Sequence, residues 1–230
     1  MSLDLVRIVI EIVVFLFAIS VHESAHAWTA SRFGDPTARL LGRVSLNPVR
    51  HIDPIGTVLL PLMAMIYHFP VIGWAKPTPV DPRNFGKNYV FADVMTSVAG
   101  PISNLMVATG AVVALVIIAV SSAQGRTAML AAMFGIAGEM QAGSALMPVA
   151  VLLYEAMVIN VLLAVFNLIP IPPLDGSHVL RHALSEPARR IYDQIGIFGL
   201  LLFFLVGGSV IRVLMSPFLG FFNSLLIRFA

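Results

Sequence analysis

An apolar run over residues 5–33, uninterrupted by proline or glycine, constrains the fold of this chain more than any other feature. It is longer than the roughly 20 residues that a helix needs to cross a bilayer. Three ionisable residues, His22, Glu23 and His26, lie close together inside it. Such groups are costly in lipid unless a metal ion or another partner satisfies them. The run therefore predicts a transmembrane helix that carries a functional site and is not removed as a signal peptide.

The spacing of the two histidines indicates the kind of site. Residues four apart lie on one face of an α-helix, so His22 and His26 can present two neutral imidazoles to one divalent ion. Glu23 follows His22 directly and is placed to act as a general base, which is the arrangement typical of a zinc hydrolase. The alternative is that both histidines are satisfied packing residues of an apolar helix.

The composition supports a membrane protein and argues against several other classes. The chain has 230 residues, of which 58% are hydrophobic and 11% charged, and its mean hydropathy is +0.92. These values are typical of a polytopic membrane protein. A net charge of +2 without a basic run argues against nucleic-acid binding. Because cysteine is absent, any metal ion must be bound by His, Asp or Glu.

Further apolar runs predict the other membrane helices. Three more spans are expected at residues 93–121, 147–169 and 194–214. Residues 54–69 are apolar but short, and Pro61 lies in their middle. A run of that length favours a re-entrant segment, which enters the bilayer and leaves on the same side.

The stretches between these spans are expected to lie outside the hydrocarbon core. Residues 38–46 are interpreted as a short strand, and the tail 217–230 as too short to span on its own. Residues 126–146 are interpreted as an outer-face amphipathic or interfacial segment and not as a full span. Residues 70–85 could offer edge backbone to an extended substrate. The predicted fold is an all-α polytopic membrane protein with a single domain over residues 1–230. It has about four to six transmembrane helices and a re-entrant, short β-like element.

Arginines after the first helix determine its expected orientation. They are Arg32, Arg39, Arg43 and Arg50. Cytoplasmic loops carry such an excess of positive charge. We therefore expect a multi-pass protein of the cell (inner or plasma) membrane, with the histidine motif toward the cytoplasmic side.

A catalytic zinc site needs a third protein ligand in addition to the two histidines. The candidates are His51, Asp53, Asp81, Asp93, Glu155, Asp175, His178 and His182. Asp175 is favoured because it ends an apolar span and follows a proline-rich stretch, and non-helical backbone at membrane depth lines a cavity. Two alternatives remain open. Asp175 and Gly176 can form an ordinary turn, or His178 and His182 can bind a metal ion themselves.

Four further polar residues lie inside the predicted spans. Asn104 and Asn167 are each a candidate to bind the substrate or to stabilise the oxyanion of the reaction. Each can equally be a helix-packing contact. Glu11 and Glu155 fall in the outer halves of their helices, where we expect them to share a proton or a polar contact without a catalytic role.

Five motifs are informative as a set. They are His22-Glu23-Ser24-Ala25-His26, Gly100-Pro101-x-x-Asn104, the stretch Asn167-Leu168-Ile169-Pro170-Ile171-Pro172-Pro173-Leu174-Asp175-Gly176, and the segments His51-Ile52-Asp53-Pro54-Ile55-Gly56 and Gly73-Trp74-Ala75-Lys76-Pro77. Together they resemble the site-2 protease family of intramembrane zinc metalloproteases, in its compact prokaryotic branch without PDZ or CBS domains. The resemblance implies one Zn²⁺ per chain, held by His22, His26 and Asp175, with Glu23 as the catalytic base. It also implies regulated intramembrane proteolysis, in which a membrane-anchored protein substrate is cleaved within or near its transmembrane segment in the lipid bilayer.

Two other functions would also account for ionisable residues inside a membrane. An ion-coupled transporter can use them to bind or relay ions, although the chain contains no inverted repeat. A non-catalytic protein that binds membrane helices would not need an intact HExxH motif. Replacing Glu23 by Gln separates a protease from a transporter, because the protease loses cleavage and keeps its metal whereas the transporter changes its ion flux.

Overall fold

The computed structural model describes residues 3–59, 63, 75–136 and 145–230, and it contains no strand among them. The seven α-helices of this part are α1 (Leu3–Arg32), α2 (Thr37–Leu40), α3 (Tyr89–Ser121), α4 (Ala123–Phe134), α5 (Leu146–Asn167), α6 (Asp175–Ala183) and α7 (Glu186–Ile227). Two 3₁₀ segments, Pro48–Arg50 and Pro82–Asn88, and one π-helical turn, Pro54–Leu59, connect them. An all-α polytopic fold is therefore confirmed.

Four helical stretches of the described residues are long and apolar enough to cross a membrane. They are Arg7–Arg32, Pro82–Ser121, Leu146–Asn167 and Val210–Ile227. The first three match the predicted spans. The fourth corrects the prediction at the C-terminal end, because α7 continues through Pro217 to Ile227 instead of ending near residue 214. A proline is tolerated inside a membrane helix, so Pro217 does not end α7.

The strand predicted at residues 38–46 is wrong, because a helical turn occupies its start. Asp35 accepts hydrogen bonds from the backbone nitrogen and the hydroxyl of Thr37, at 3.1 and 2.5 Å. The Asp35 side chain thereby satisfies the backbone donor of Thr37, the first residue of α2. Gly42 then adopts a left-handed φ of 69°, and a glycine in that conformation ends a helix.

Two other predictions fall partly outside the described residues. For the re-entrant segment 54–69, the structure describes the π-helical turn and residue 63 alone. The β-like element is not shown, and Gly73 and Trp74 are among the residues left undescribed. Within residues 126–146, the described part is mainly α4, where Met129 is fully buried. The same helix exposes Arg126, Thr127 and Phe134. It is therefore amphipathic, as predicted, and its 12 residues are too few to span a membrane.

The chain divides into two compact units, and two helices contribute to both. The first unit contains Met1–Ala18 and Pro101–Ala230, and the second contains Ile19–Gly100. The core of the first unit is built from α3, α4, α5 and α7; its fully buried side chains include Val112, Leu115, Met129, Met157, Val161 and Leu226. The second unit has a small core of Ala30, Phe85 and Ala92. The HExxH motif belongs to the second unit.

Candidate metal centre

His22 and His26 lie on one face of α1, as their spacing predicts, and both are buried. Their Nε2 atoms are 3.0 Å apart. Nδ1 of His26 lies 2.7 Å from the backbone oxygen of Thr96 in α3. Because a carbonyl oxygen accepts hydrogen bonds and cannot donate them, this contact places the ring proton on Nδ1. Nε2 of a neutral His26 therefore presents a lone pair toward His22.

This arrangement fits a divalent metal ion. Two imidazole nitrogens bound to one tetrahedral zinc ion at about 2.0–2.1 Å lie about 3.3 Å from each other. The 3.0 Å separation of the two Nε2 atoms is close to that value. The Thr96 carbonyl supplies the second contact that ligating histidines usually make through their other ring nitrogen. The donor atoms of His22 and His26 are therefore suited to zinc.

Gly100 in α3 keeps the space over these donor atoms open. A Cβ atom at this position would lie 2.4 Å from Nε2 of His26 and 2.6 Å from Nε2 of His22. No side chain can occupy that space without moving the imidazoles. Glycine inside a helix is unfavourable by about 1 kcal/mol relative to alanine. The space that the two imidazoles need therefore explains the glycine at position 100, which helix stability alone would disfavour.

Glu23 is half-buried and is held by one residue from a distant part of the second unit. The backbone nitrogen of Thr78 donates to Oε2 of Glu23 over 2.8 Å. The Thr78 hydroxyl lies 2.7 Å from the same oxygen and 3.0 Å from the Glu23 backbone oxygen. Sequence reasoning missed Thr78, and the available signal was its position between two prolines. That pattern favours extended backbone without revealing its partner.

The segment that carries Thr78 is anchored on one side by the loop after α2, in which Arg43 and His51 are buried. The backbone nitrogen of Lys76 donates to the His51 oxygen over 2.8 Å. The guanidinium of Arg43, which is 5% exposed, donates to the backbone oxygens of Arg50 and Lys76. Burial lowers the pKa of Arg43, and the negative charge of Glu23 partly offsets that shift. Arg43 is thus both a structural tie and a cation that interacts electrostatically with Glu23.

On its other side the segment is anchored by Asp35, which is fully buried. Oδ2 of Asp35 accepts a hydrogen bond from the Asp81 backbone nitrogen over 2.7 Å, and Oδ1 accepts one from Asn84 over 2.8 Å. Burial alone would raise the pKa of Asp35, but these hydrogen bonds and those from Thr37 lower it below the usual value. The carboxylate therefore stays charged and holds residues 81–84 against the start of α2.

Asp175 is the first residue of α6, in the first unit, and is half-buried. It follows the non-helical proline-rich stretch, as predicted. A Cβ atom at Gly176 would lie 2.2 Å from the Leu168 backbone oxygen. Asp175 and Gly176 are therefore part of a closely packed helix start, and the ordinary-turn alternative is wrong. The rival pair on the same helix is more open, with His178 exposed and His182 half-buried.

The two asparagines make hydrogen bonds to neighbouring helices or to their own. Nδ2 of Asn104, a fully buried residue, donates to Oδ1 of Asn160 over 2.7 Å and to the Ala18 oxygen over 3.2 Å. These are contacts that the helix-packing alternative predicts. Nδ2 of Asn167 donates to the Leu163 oxygen of its own helix over 2.9 Å. Asn167 is half-buried at the end of α5.

Glu11 and Glu155 share a polar contact, as predicted, and Arg7 provides it. Nη2 of Arg7 lies 2.9 Å from Glu155, and Nε lies 3.0 Å from Glu11. The Glu155 side chain is 11% exposed and that of Arg7 is 57% exposed. These three residues form a salt-bridged group that joins α1 to α5. None of them is available as a metal ligand without breaking it.

Comparisons with known proteins identify the family of the chain. The chain matches the family described as peptidase family M50 over residues 10–206. It is 32% identical over 192 residues to "Putative zinc metalloprotease YwhC" of Bacillus subtilis, which covers 84% of this chain and 77% of that protein. It is 27% identical over 215 residues to "Putative zinc metalloprotease Rip2" of Mycolicibacterium smegmatis, covering 90% and 66% respectively. No solved structure is significantly similar to the chain.

Proposed function

The chain belongs to peptidase family M50, which confirms the resemblance found in its motifs, and from that membership we propose that it is a zinc-dependent intramembrane endopeptidase. Its substrate class would be membrane-anchored proteins that are cut within or near a transmembrane segment. One observation carries the proposal. Inside an apolar span, the Nε2 atoms of His22 and His26 face each other at 3.0 Å, and Glu23 follows on the same helix.

His22, His26 and Asp175 would hold the metal ion, one per chain. Catalytic zinc sites combine three protein ligands from His, Asp and Glu with one open position. Asp175 suits the third place because it is a half-buried carboxylate at the start of α6, next to non-helical backbone. When bound, the zinc ion would activate a water molecule and polarise the scissile carbonyl.

Glu23 would carry the proton of the reaction. As a general base it takes a proton from the attacking water, and as a general acid it delivers that proton to the leaving amine nitrogen. The substrate helix must unwind locally first, because a peptide carbonyl that is hydrogen-bonded within a helix is not open to attack. Asn167 is the better candidate of the two asparagines to contact the unwound substrate, since Asn104 is fully buried.

The site would face the cytoplasm across a cell membrane. Arg32, Arg39 and Arg50 are exposed at or after the end of α1, and an excess of arginine is typical of cytoplasmic loops. Water would reach the site from this side. This orientation also places the Arg7 group in the outer half of the bilayer.

The direct test uses the purified protein reconstituted with a synthetic single-span peptide, and cleavage is followed by mass spectrometry. We expect cleavage within or next to the apolar segment of the peptide, inhibition by a zinc chelator, and recovery when zinc is restored. Cleavage that continues unchanged in the chelator would contradict a metal-dependent reaction. An intact peptide, together with a proton or sodium flux across the same vesicles, would favour the transporter alternative.

A further inference from the structure

Thr78 makes an unusually complete contact with the proposed catalytic base. Its backbone nitrogen and its hydroxyl both lie within hydrogen-bond distance of Oε2 of Glu23, at 2.8 and 2.7 Å. Among the residues that the structure describes, the hydrogen bonds to the Glu23 carboxylate all go to this oxygen and none goes to Oε1. The two oxygens of one carboxylate are therefore in different environments.

The backbone around Thr78 is built to hold that contact. Pro77 and Pro79 fix the local backbone and lack N–H groups, so Thr78 supplies the one backbone donor of this tripeptide. On one side the segment is tied through Lys76 to His51, and on the other side through Asp81 to Asp35. A residue held on both sides and flanked by prolines loses little freedom when it binds a carboxylate.

We propose that Thr78 is a positioning residue for the reaction: it anchors Oε2 of Glu23 so that Oε1 is turned toward the proton that Glu23 must take. This inference rests on the proposed protease function. Proton transfer depends steeply on the distance and direction between the base and the proton. A misplacement of about 1 Å in a catalytic arrangement can cost about 100-fold in rate.

The test compares Thr78→Val with Thr78→Ser in cleavage of the synthetic single-span peptide. Valine keeps the branched shape and the backbone donor but removes the hydroxyl, whereas serine keeps the hydroxyl and removes a methyl group. We expect Thr78→Val to lower kcat about 10- to 100-fold, with KM and zinc content unchanged. Thr78→Ser should restore most of the rate. Thr127→Val is the matched control, because the Thr127 hydroxyl donates to the Ala123 oxygen of its own helix and to no other described residue.

Each other outcome overturns the inference. A Thr78→Val rate within twofold of wild type would show that the hydroxyl does not position Glu23. A higher rate would show that the contact restrains the base. Equal losses in Thr78→Val and Thr78→Ser, or a loss of zinc, would indicate a packing role. An inactive wild-type protein would instead contradict the proposed function itself, so the two failures are distinguishable.

Discussion

The two ends of α1 both carry ionisable side chains inside an apolar span, and the side chains at each end have different kinds of partner. At the N-terminal end, Arg7 pairs with Glu11 and Glu155 at 3.0 and 2.9 Å, so opposite charges meet. At the C-terminal end, Nε2 of His26 faces Nε2 of His22 at 3.0 Å, with an open space kept by Gly100. Two basic nitrogens at that distance are stabilised by a cation between them.

The comparison shows that a polar group in a membrane helix is not by itself evidence of a catalytic site. The ionisable side chains at both ends of α1 are costly to place in lipid. The N-terminal group is compensated within the protein and has a structural role in joining α1 to α5. The histidine pair has the donor atoms and the space for a ligand that the protein does not itself supply.

The largest effect is expected from the same substitution at two glutamates of α1. Glu23→Gln should lower cleavage by about 10³-fold and keep its zinc, because it removes the proton acceptor without removing a proposed ligand. Glu11→Gln should leave cleavage within about twofold of wild type. Cleavage rate and zinc per chain are measured on both variants. Equal losses of cleavage rate in the two variants would show that the two glutamates do not differ in role.

The next effect comes from a single methyl group on α3. Gly100→Ala places a Cβ atom 2.4 Å from Nε2 of His26, so we expect zinc affinity to fall at least about 10- to 100-fold. Gly110→Ala is the control on the same helix, because a Cβ atom there has no neighbour within 4 Å. It should leave zinc bound and should stabilise the helix slightly. Full zinc occupancy in Gly100→Ala would mean that the imidazoles can move away from the added atom.

Local residue patterns predict part of this site, and contacts between distant residues account for the rest. The helix over residues 5–33 and the shared face of His22 and His26 follow from local periodicity. The contact of Thr78 with Glu23 joins residues that are 55 positions apart, and Gly100 acts on side chains of another helix. Tertiary contacts of this kind leave no local pattern. The strand predicted at residues 38–46 is wrong at its start, where the short helix α2 (Thr37–Leu40) forms next to the Asp35–Thr37 hydrogen bonds.

A smaller effect is expected at the other end of α1. Arg7→Met removes the partner of Glu155, and we expect a destabilisation of about 1–3 kcal/mol, because a largely buried carboxylate loses its charged donor. The temperature of unfolding in detergent should fall by several degrees while zinc stays bound. The double variant Arg7→Met, Glu155→Leu should recover part of the loss. If zinc were lost in Arg7→Met, the two ends of α1 could not be treated as separate groups.

The smallest effect concerns pH and His51, whose backbone oxygen accepts the hydrogen bond from Lys76. His51 is 1% exposed; its Nε2 lies 2.7 Å from the Ser45 oxygen, and no partner among the described residues reaches Nδ1. Burial, together with the positive charge of Arg43, lowers the pKa of His51 below its ordinary value. The unfolded chain therefore binds the proton more readily than the folded chain. The contribution of His51 to the free energy of unfolding is therefore fully present above a pH of about 6.5. Below that pH it declines, by up to about 1.4 kcal/mol per pH unit.

Thermal unfolding of wild type and His51→Gln from pH 7.5 to 5 measures this contribution. The wild-type protein should lose more stability than the variant over this range, because glutamine does not titrate. Identical pH profiles would show that His51 remains hydrated or protonated in the folded protein. The charged group at Arg7 should not contribute to the difference.

We propose that α1 contributes two ligands and α6 the third to one zinc ion, and metal analysis distinguishes this ligand set from its alternatives. Zinc per chain is measured on the purified wild type, Asp175→Ala and His178→Ala. We expect about one zinc ion in wild type and in His178→Ala, and loss or strong weakening of zinc binding in Asp175→Ala. Full zinc occupancy in Asp175→Ala would contradict the proposed ligand set. A wild-type protein that binds no zinc would contradict the metalloprotease itself.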